Sequence, residues 1–324
     1  MNWPRHLLDV DELELTDLEA IMREAEAMRE LIRSDGGSVG RLGGRHVALL
    51  FAEPSTRTRL SFEVAARRLG AQTYLFEPMS SSMVKGETLA DTVRNLDAIG
   101  FDMLVVRHHR SGAPWVAARY FGGSVVNAGD GWHAHPTQAL LDLFTLKKHF
   151  DQLRGRKIAI VGDVLHSRVA RSNVRTLTVA GADVWLCGPK HWLRGLDRLP
   201  ATLTTDLDAA LRDAEAVIGL RVQKERMSGS ALSLDEYVNR YQITEARLST
   251  AAPNAVYLHP GPINEGVEVA REVARGPRSL VLQQARNGVP VRMAVLAMVG
   301  ASARRATPLG QTSSAMRDLS SAIR

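Results

Sequence analysis

The sequence has one cysteine in 324 residues, Cys187. That excludes an internal disulfide framework and any metal site built from a cysteine cluster. Cys187 lies in "DVWLCGP", an apolar strand-like run, and reads as a buried structural thiol. Long hydrophobic runs are missing too: none approaches the roughly 20 residues that span a bilayer. The opening stretch, "MNWPRHLLDVDELELTDLEAIM", carries acidic residues where a signal or transit peptide carries none, so the chain reads as cytoplasmic with no membrane association. Aromatics are only 5% of the residues, and no basic stripe accompanies them, which argues against a nucleic-acid platform. The hydrolase elbow G-x-S-x-G is absent. The G-x-G-x-x-G of a dinucleotide fold is absent as well, although "GDVLHS" follows an apolar run in a suitable place, so a nucleotide cofactor is disfavoured. "HAH" at 133–135 has nothing nearby to complete a metal-ligand set.

What is present is an alternation. An amphipathic segment at 11–33 and a glycine-rich connector precede apolar runs at 46–51, 71–76, 101–106 and 124–127, with helical stretches between them. A long helix, "HPTQALLDLFTLKKHF" at 135–150, follows. The pattern then begins again with "RKIAIVGD", "VWLCG", "AVIGLR" and "AVYLHP". This is α/β grammar, and it predicts two doubly wound parallel-sheet lobes joined by a long helix, with a cleft between them. The expected division is 1–135 plus 290–302 for the first lobe, 136–150 for the linking helix and 151–289 for the second lobe. The closing helix "VRMAVLAMVGAS" at 291–302 returns to the first lobe, and 303–324 reads as a mobile polar tail.

The unusual polar residues follow the apolar runs. "PSTRTR" comes after the first, "SSSMVKGET" after the second, Arg107 and His108 at the end of the third, and "NAGDGWHAHPTQ" after the fourth. In the second half "GDVLHSRVARSN", "RVQKER" and "HPGP" do the same. In an open parallel sheet the carboxyl ends of the strands share one edge, where ligands bind, so all seven groups converge there. Their charges are Arg57, Lys85, Arg107, Arg168 and Arg221, with His135 among them. Ser55 to Thr58 stand where a strand stops and a helix starts. A helix N-terminus is a seat for an anion, but an N-cap followed by a surface arginine would use the same residues. The formal charge of +6 is spread along the chain and suits steering of small anions. A polyanion site without a nucleophile, cofactor or metal suits a reaction between two anions, driven by positioning and electrostatics. Among the lesser positions, Arg59 reads as an ion-pair partner of Glu53, and His259 as a residue that orders its turn rather than one that touches substrate.

The motifs "STRTR", "KGETLADT", "HPTQALLDLFT", "GDVLHSRVARSN", "RVQKER" and "HPGP", in that order, resemble the catalytic chains of aspartate carbamoyltransferases, from about residue 5 to residue 301. Ornithine carbamoyltransferases usually read HPCQ and HCLP with an SMG loop, where this chain has HPTQ, HPGP and RVQ. The resemblance implies carbamoyl transfer from carbamoyl phosphate to L-aspartate in de novo pyrimidine synthesis. It implies that Ser55, Thr56, Arg57 and Thr58 hold the phosphate, and that Thr58, Arg107 and His135 point at the carbamoyl oxygen. By the same resemblance, Gln138 and the carbonyls of Gly261 and Pro262 would take the carbamoyl amide, and Arg168 and Arg221, assisted by Gln223, would clamp the aspartate carboxylates. It further implies that Ser81 and Lys85 reach into a neighbouring subunit's site and that the assembly is a homotrimer; a regulatory chain or a dihydroorotase partner is left open. Two positions depart from the family pattern. Gly261 stands where some members carry leucine, and Glu265 where many carry a basic residue, which would weaken aspartate binding if its charge faces the cleft. Two rival readings are a catalytically silent scaffold and a carbamoyltransferase with another amine acceptor.

Overall fold

The computed structural model describes residues 3–34, 40–76, 86–222 and 232–302. Ser81, Lys85, Gln223 and the tail 303–324 lie outside the described residues. The chain runs α1 (Leu15–Arg33), β1 (His46–Phe51), α2 (Thr56–Arg68), β2 (Gln72–Phe76), α3 (Leu89–Ile99), β3 (Met103–His108), α4 (Ala113–Tyr120), β4 (Ser124–Asp130) and α5 (Pro136–Phe150). It continues β5 (Lys157–Val161), α6 (Arg168–Val179), β6 (Asp183–Cys187), β7 (Thr202–Thr204), α7 (Leu207–Leu211), β8 (Ala216–Gly219), α8 (Leu234–Tyr241), α9 (Glu245–Leu248), β9 (Val256–Leu258), α10 (Arg271–Ala274) and α11 (Val281–Ser302).

The strands form two parallel sheets, β2-β1-β3-β4 and β7-β6-β5-β8-β9. Helices cover both faces, so the central strands read as unbroken apolar runs: β4 and β8 are buried throughout, and β1 and β5 at all but their first residue. Leu7 closes the open edge of β4 by exchanging backbone bonds with Val125 and Asn127. Each sheet reverses its winding once, between β1 and β3 and between β5 and β8. Those two reversals place the loops after β1, β3, β5 and β8 in the crevice.

One apolar cluster joins the lobes. It runs from Leu49 and Met103 through Leu140 and Phe144 of α5 to Ile158 and Leu186. Cys187 is buried in the second lobe, where desolvation pushes its thiol up to about 12, and it is inert at neutral pH. Two elements differ from the sequence reading. β7 is a three-residue edge strand with no apolar run to announce it. The last helix begins at Val281 rather than Val291 and carries Pro290 inside it. A proline costs a helix one hydrogen bond and a steric clash, but α11 packs along α1, α2 and α5, and that burial outweighs local propensity. The helix returns to the first lobe, where Ser124 Oγ donates to the Val299 carbonyl at 3.2 Å.

Candidate active site

Two helix N-termini enter the crevice and are finished differently. At α6, Ser167 is an N-cap in the full sense: its hydroxyl accepts the Ala170 N–H at 3.1 Å. At α2, Ser55 occupies the N-cap position in extended backbone, but its hydroxyl accepts no bond from the helix. The first-turn N–H groups of α2 are left to an outside acceptor, which favours the anion seat over the simple cap. Thr58 is buried in that turn, and burial lowers the Arg57 guanidinium below its usual range. Gly261, from the other lobe, meets it. At φ +67° this residue favours glycine, and a Cβ there would lie 2.5 Å from Arg57 Cζ. A larger side chain at 261 would require the Arg57 guanidinium to shift.

Arg107 is in β3 beside Phe51 of β1. Its Nη2 donates to Glu53 Oε1 at 3.0 Å and its Nη1 to the Ala128 carbonyl at 3.2 Å. Arg168, the first residue of α6, donates from Nη2 to the same Glu53 oxygen. One carboxylate oxygen thus bridges an arginine from each lobe. Gly129, at φ +117°, leaves room for both: a Cβ there would stand 3.0 Å from Arg107 Nη1 and 3.3 Å from Arg168 Nη1. Burial, then the Arg168 charge, lower Arg107 to about 10, with Glu53 opposing. His135 occupies the N-cap position of α5 without a side-chain capping bond, and its backbone N–H donates to Ser172 Oγ of α6 at 3.0 Å. Its ring is buried, and desolvation followed by Arg107, Arg292 and Arg168 holds its pKa well below 6.5. The imidazole is therefore neutral, with Nδ1 buried and unpartnered. Such a group orients a bound carbonyl; it does not supply a proton as imidazolium.

Gln138 follows His135 by one turn and donates Nε2 to Asp142 at 2.9 Å. Across the cleft the turn 259–262, with a cis Gly261–Pro262 bond, is ordered from within: the Gly261 N–H donates to His259 Nδ1 at 2.8 Å. That acceptor role assigns the ring proton to Nε2, which stands 3.4 Å from the buried carboxylate of Glu268 without hydrogen-bond geometry. The same carboxylate accepts the Asn264 N–H at 2.5 Å and the Val222 N–H at 3.5 Å, and Asn264 Nδ2 donates to the Val222 carbonyl at 3.0 Å. Glu268 thereby ties the turn to the segment after β8, which carries Arg221.

The structure brings Arg57 against Gly261, joins Arg107 and Arg168 through Glu53, and sets His135 in the field of both arginines. Ser55, Thr56, Thr58, Gln138, Arg221 and Pro262 lie at the same edge. His259 orders its turn, as read from the sequence. Glu265 spends its charge outside the cleft: its carboxylate meets Arg275 at 2.7 Å and Arg271 at 4.0 Å on α10 and the residue that follows it. Sequence reasoning missed Asp142 and Glu268 and gave Glu53 only a neighbour in sequence. A lone acid inside the apolar "ALLDLF" was the available signal for Asp142.

Two α/β lobes that gather Arg57, Arg107 and Arg168 at their shared edge form a site suited to group transfer between anions. Residues 5–148 match the carbamoyl-phosphate binding domain of the aspartate/ornithine carbamoyltransferases, and residues 154–299 match their aspartate/ornithine binding domain. The chain belongs to the aspartate/ornithine carbamoyltransferase family. It is 48% identical over 298 residues to an aspartate carbamoyltransferase catalytic subunit of Roseiflexus, covering 90% of this chain and 94% of that one. Among solved structures it is similar to an aspartate transcarbamoylase from Trypanosoma cruzi in complex with carbamoyl aspartate and phosphate, with TM-score 0.80, 32% identity, and 90% and 95% of the two chains covered. An ornithine carbamoyltransferase from Thermus thermophilus is similar to the same degree, with TM-score 0.80, 31% identity, and 91% and 99% covered.

Proposed function

We propose that this chain transfers the carbamoyl group of carbamoyl phosphate to the amino group of L-aspartate, giving N-carbamoyl-L-aspartate and phosphate, as a step of de novo pyrimidine synthesis. The observation that carries this reading is the Arg107–Glu53–Arg168 bridge beside a neutral His135 and an open helix N-terminus. It is a set of donors suited to two anions at once. The phosphate sits on Ser55, Thr56, Arg57, Thr58 and the first N–H groups of α2. Thr58, Arg107 and His135 bind the carbamoyl oxygen and stabilise the oxyanion, each such donor being worth about 3–4 kcal/mol. Gln138 and the Gly261 and Pro262 carbonyls take the amide protons.

The amine nitrogen attacks the carbamoyl carbon, the bond from that carbon to the phosphate oxygen breaks, and the departing phosphate accepts the amine proton. Arg168 and Arg221, with Gln223, clamp the two aspartate carboxylates, a task for which the planar guanidinium is suited. Ser81 and Lys85 come from a neighbouring subunit of a homotrimer. The fold is shared with ornithine enzymes and leaves the acceptor open. The arginine pair, the HPTQ and HPGP motifs, and relatives named for aspartate support a dicarboxylate acceptor.

Initial rates with aspartate, ornithine and putrescine, on the wild type and on Arg221→Ala, test the reading. Activity with aspartate alone, lost in the variant mainly through KM for aspartate, is the expected result. Turnover of another amine sinks the dicarboxylate assignment, and a folded but inactive trimer favours the scaffold.

A further inference from the structure

Asp142 lies one turn beyond Gln138 on α5, with no exposed surface. A carboxylate in such a place requires donors. It has three, and all are primary amides. Gln138 Nε2 of α5 donates to Oδ1 at 2.9 Å, Gln284 Nε2 of α11 donates to Oδ1 at 2.7 Å, and Asn173 Nδ2 of α6 donates to Oδ2 at 2.8 Å. Arg292 contributes its charge nearby and no hydrogen bond to this carboxylate.

An ionised carboxylate only accepts, so each amide must turn its NH2 inward and its carbonyl outward. The cost shows at Asn173, whose Oδ1 is left buried with no partner. The return shows at the other two. Gln284 Oε1 accepts the His259 N–H at 2.8 Å and so holds the base of the turn 259–262. Gln138 Oε1 points away from Asp142 and takes no hydrogen bond from the described residues.

We infer that Asp142 is a positioning residue that sets the polarity of the carbamoyl-amide pocket. Through Gln138 directly, and through Gln284 and His259, it presents only acceptors to an incoming NH2. The pocket therefore selects a carbamoyl over an acetyl phosphate. This rests on the placement of the carbamoyl amide proposed above.

The test is calorimetric binding of carbamoyl phosphate and of acetyl phosphate, in which a methyl replaces the NH2, to the wild type and to Asp142→Asn. The substituted side chain offers one oxygen and an NH2 to three amides, so at least one of them must turn. The wild type is expected to prefer carbamoyl phosphate by about tenfold or more, and the variant by no more than about threefold, with acetyl phosphate affinity nearly unchanged. A variant that keeps the preference, or that loses both ligands equally, overturns the inference. Should the single variant fail to fold, Asp142→Asn with Gln138→Glu keeps one buried carboxylate and restores an acceptor at 138. The preference should return in that double variant, and its absence overturns the inference equally. A wild type that prefers carbamoyl phosphate yet does not carbamoylate aspartate defeats the proposed function and leaves this inference standing. Aspartate turnover together with an unchanged preference in the variant does the reverse.

Discussion

The cleft has an arginine end and an amide end, and each is organised around carboxylates with opposite kinds of partner. Glu53 shares one oxygen between Arg107 and Arg168, in a site that solvent still reaches. Asp142 and Glu268 are buried and, among the described residues, take only amides and backbone N–H groups as hydrogen-bond donors. Attraction between charges is weakly directional, so a substrate anion can replace Glu53 on its arginines without rebuilding the wall. Amide hydrogen bonds are directional, and breaking one in a buried place orphans a polar group at a cost of about 1–3 kcal/mol. The arginine end is suited to exchanging partners, and the amide end to holding a shape.

The largest effect separates the two ends. Arg107→Ala should lower kcat about a thousandfold, because its guanidinium meets charge that develops in the transition state. Gln138→Ala should cost about thirtyfold and act mainly on KM for carbamoyl phosphate, since the amide it reads is present before and after the reaction. Equal losses, divided equally between kcat and KM, would erase the distinction. A smaller effect tests exchange at the arginine end. Glu53→Gln leaves two half-buried guanidinia facing each other and should cost the ligand-free protein about 2 kcal/mol. Inorganic phosphate should recover most of that loss in thermal denaturation, and an equal loss with and without phosphate would show that Glu53 is not exchangeable.

The smallest effect belongs to the amide end and to pH. Desolvation raises Asp142 to about 6 from 3.8 despite its three amide donors. Its folded pKa lies above the unfolded one, so the group favours the fold more as pH falls through 6. Between pH 7.5 and 5 it should add about 1.4 kcal/mol of stability that Asp142→Asn lacks. Urea unfolding of both proteins at the two pH values measures the difference, and parallel pH dependence would place the Asp142 titration elsewhere.

The strands after which the described site residues fall, β1, β3, β4, β5, β8 and β9, were legible because they are buried, which requires apolar runs. The edge strand β7 carries no such requirement and left no trace. The first half of α11 was hidden by Asn287, Gly288 and Pro290, residues that read as breakers until α1, α2 and α5 pack against the helix. The same burial explains Asn287, whose Nδ2 donates to Thr145 Oγ1 at 2.9 Å. Ser55 was legible as an N-cap by position, but not the absence of its capping bond, which depends on a side-chain rotamer.

Order along the chain determined which chemistry-bearing residues share one edge, because a parallel α/β chain must place every strand-to-helix loop on the same side. Which carboxylate meets guanidinia and which meets amides was decided only in the folded molecule. Glu53 and Arg168 are 115 residues apart, and Asp142 and Gln284 are 142 apart. The direction of a hydrogen bond between such partners is a property of the assembled packing, and no local pattern encodes it.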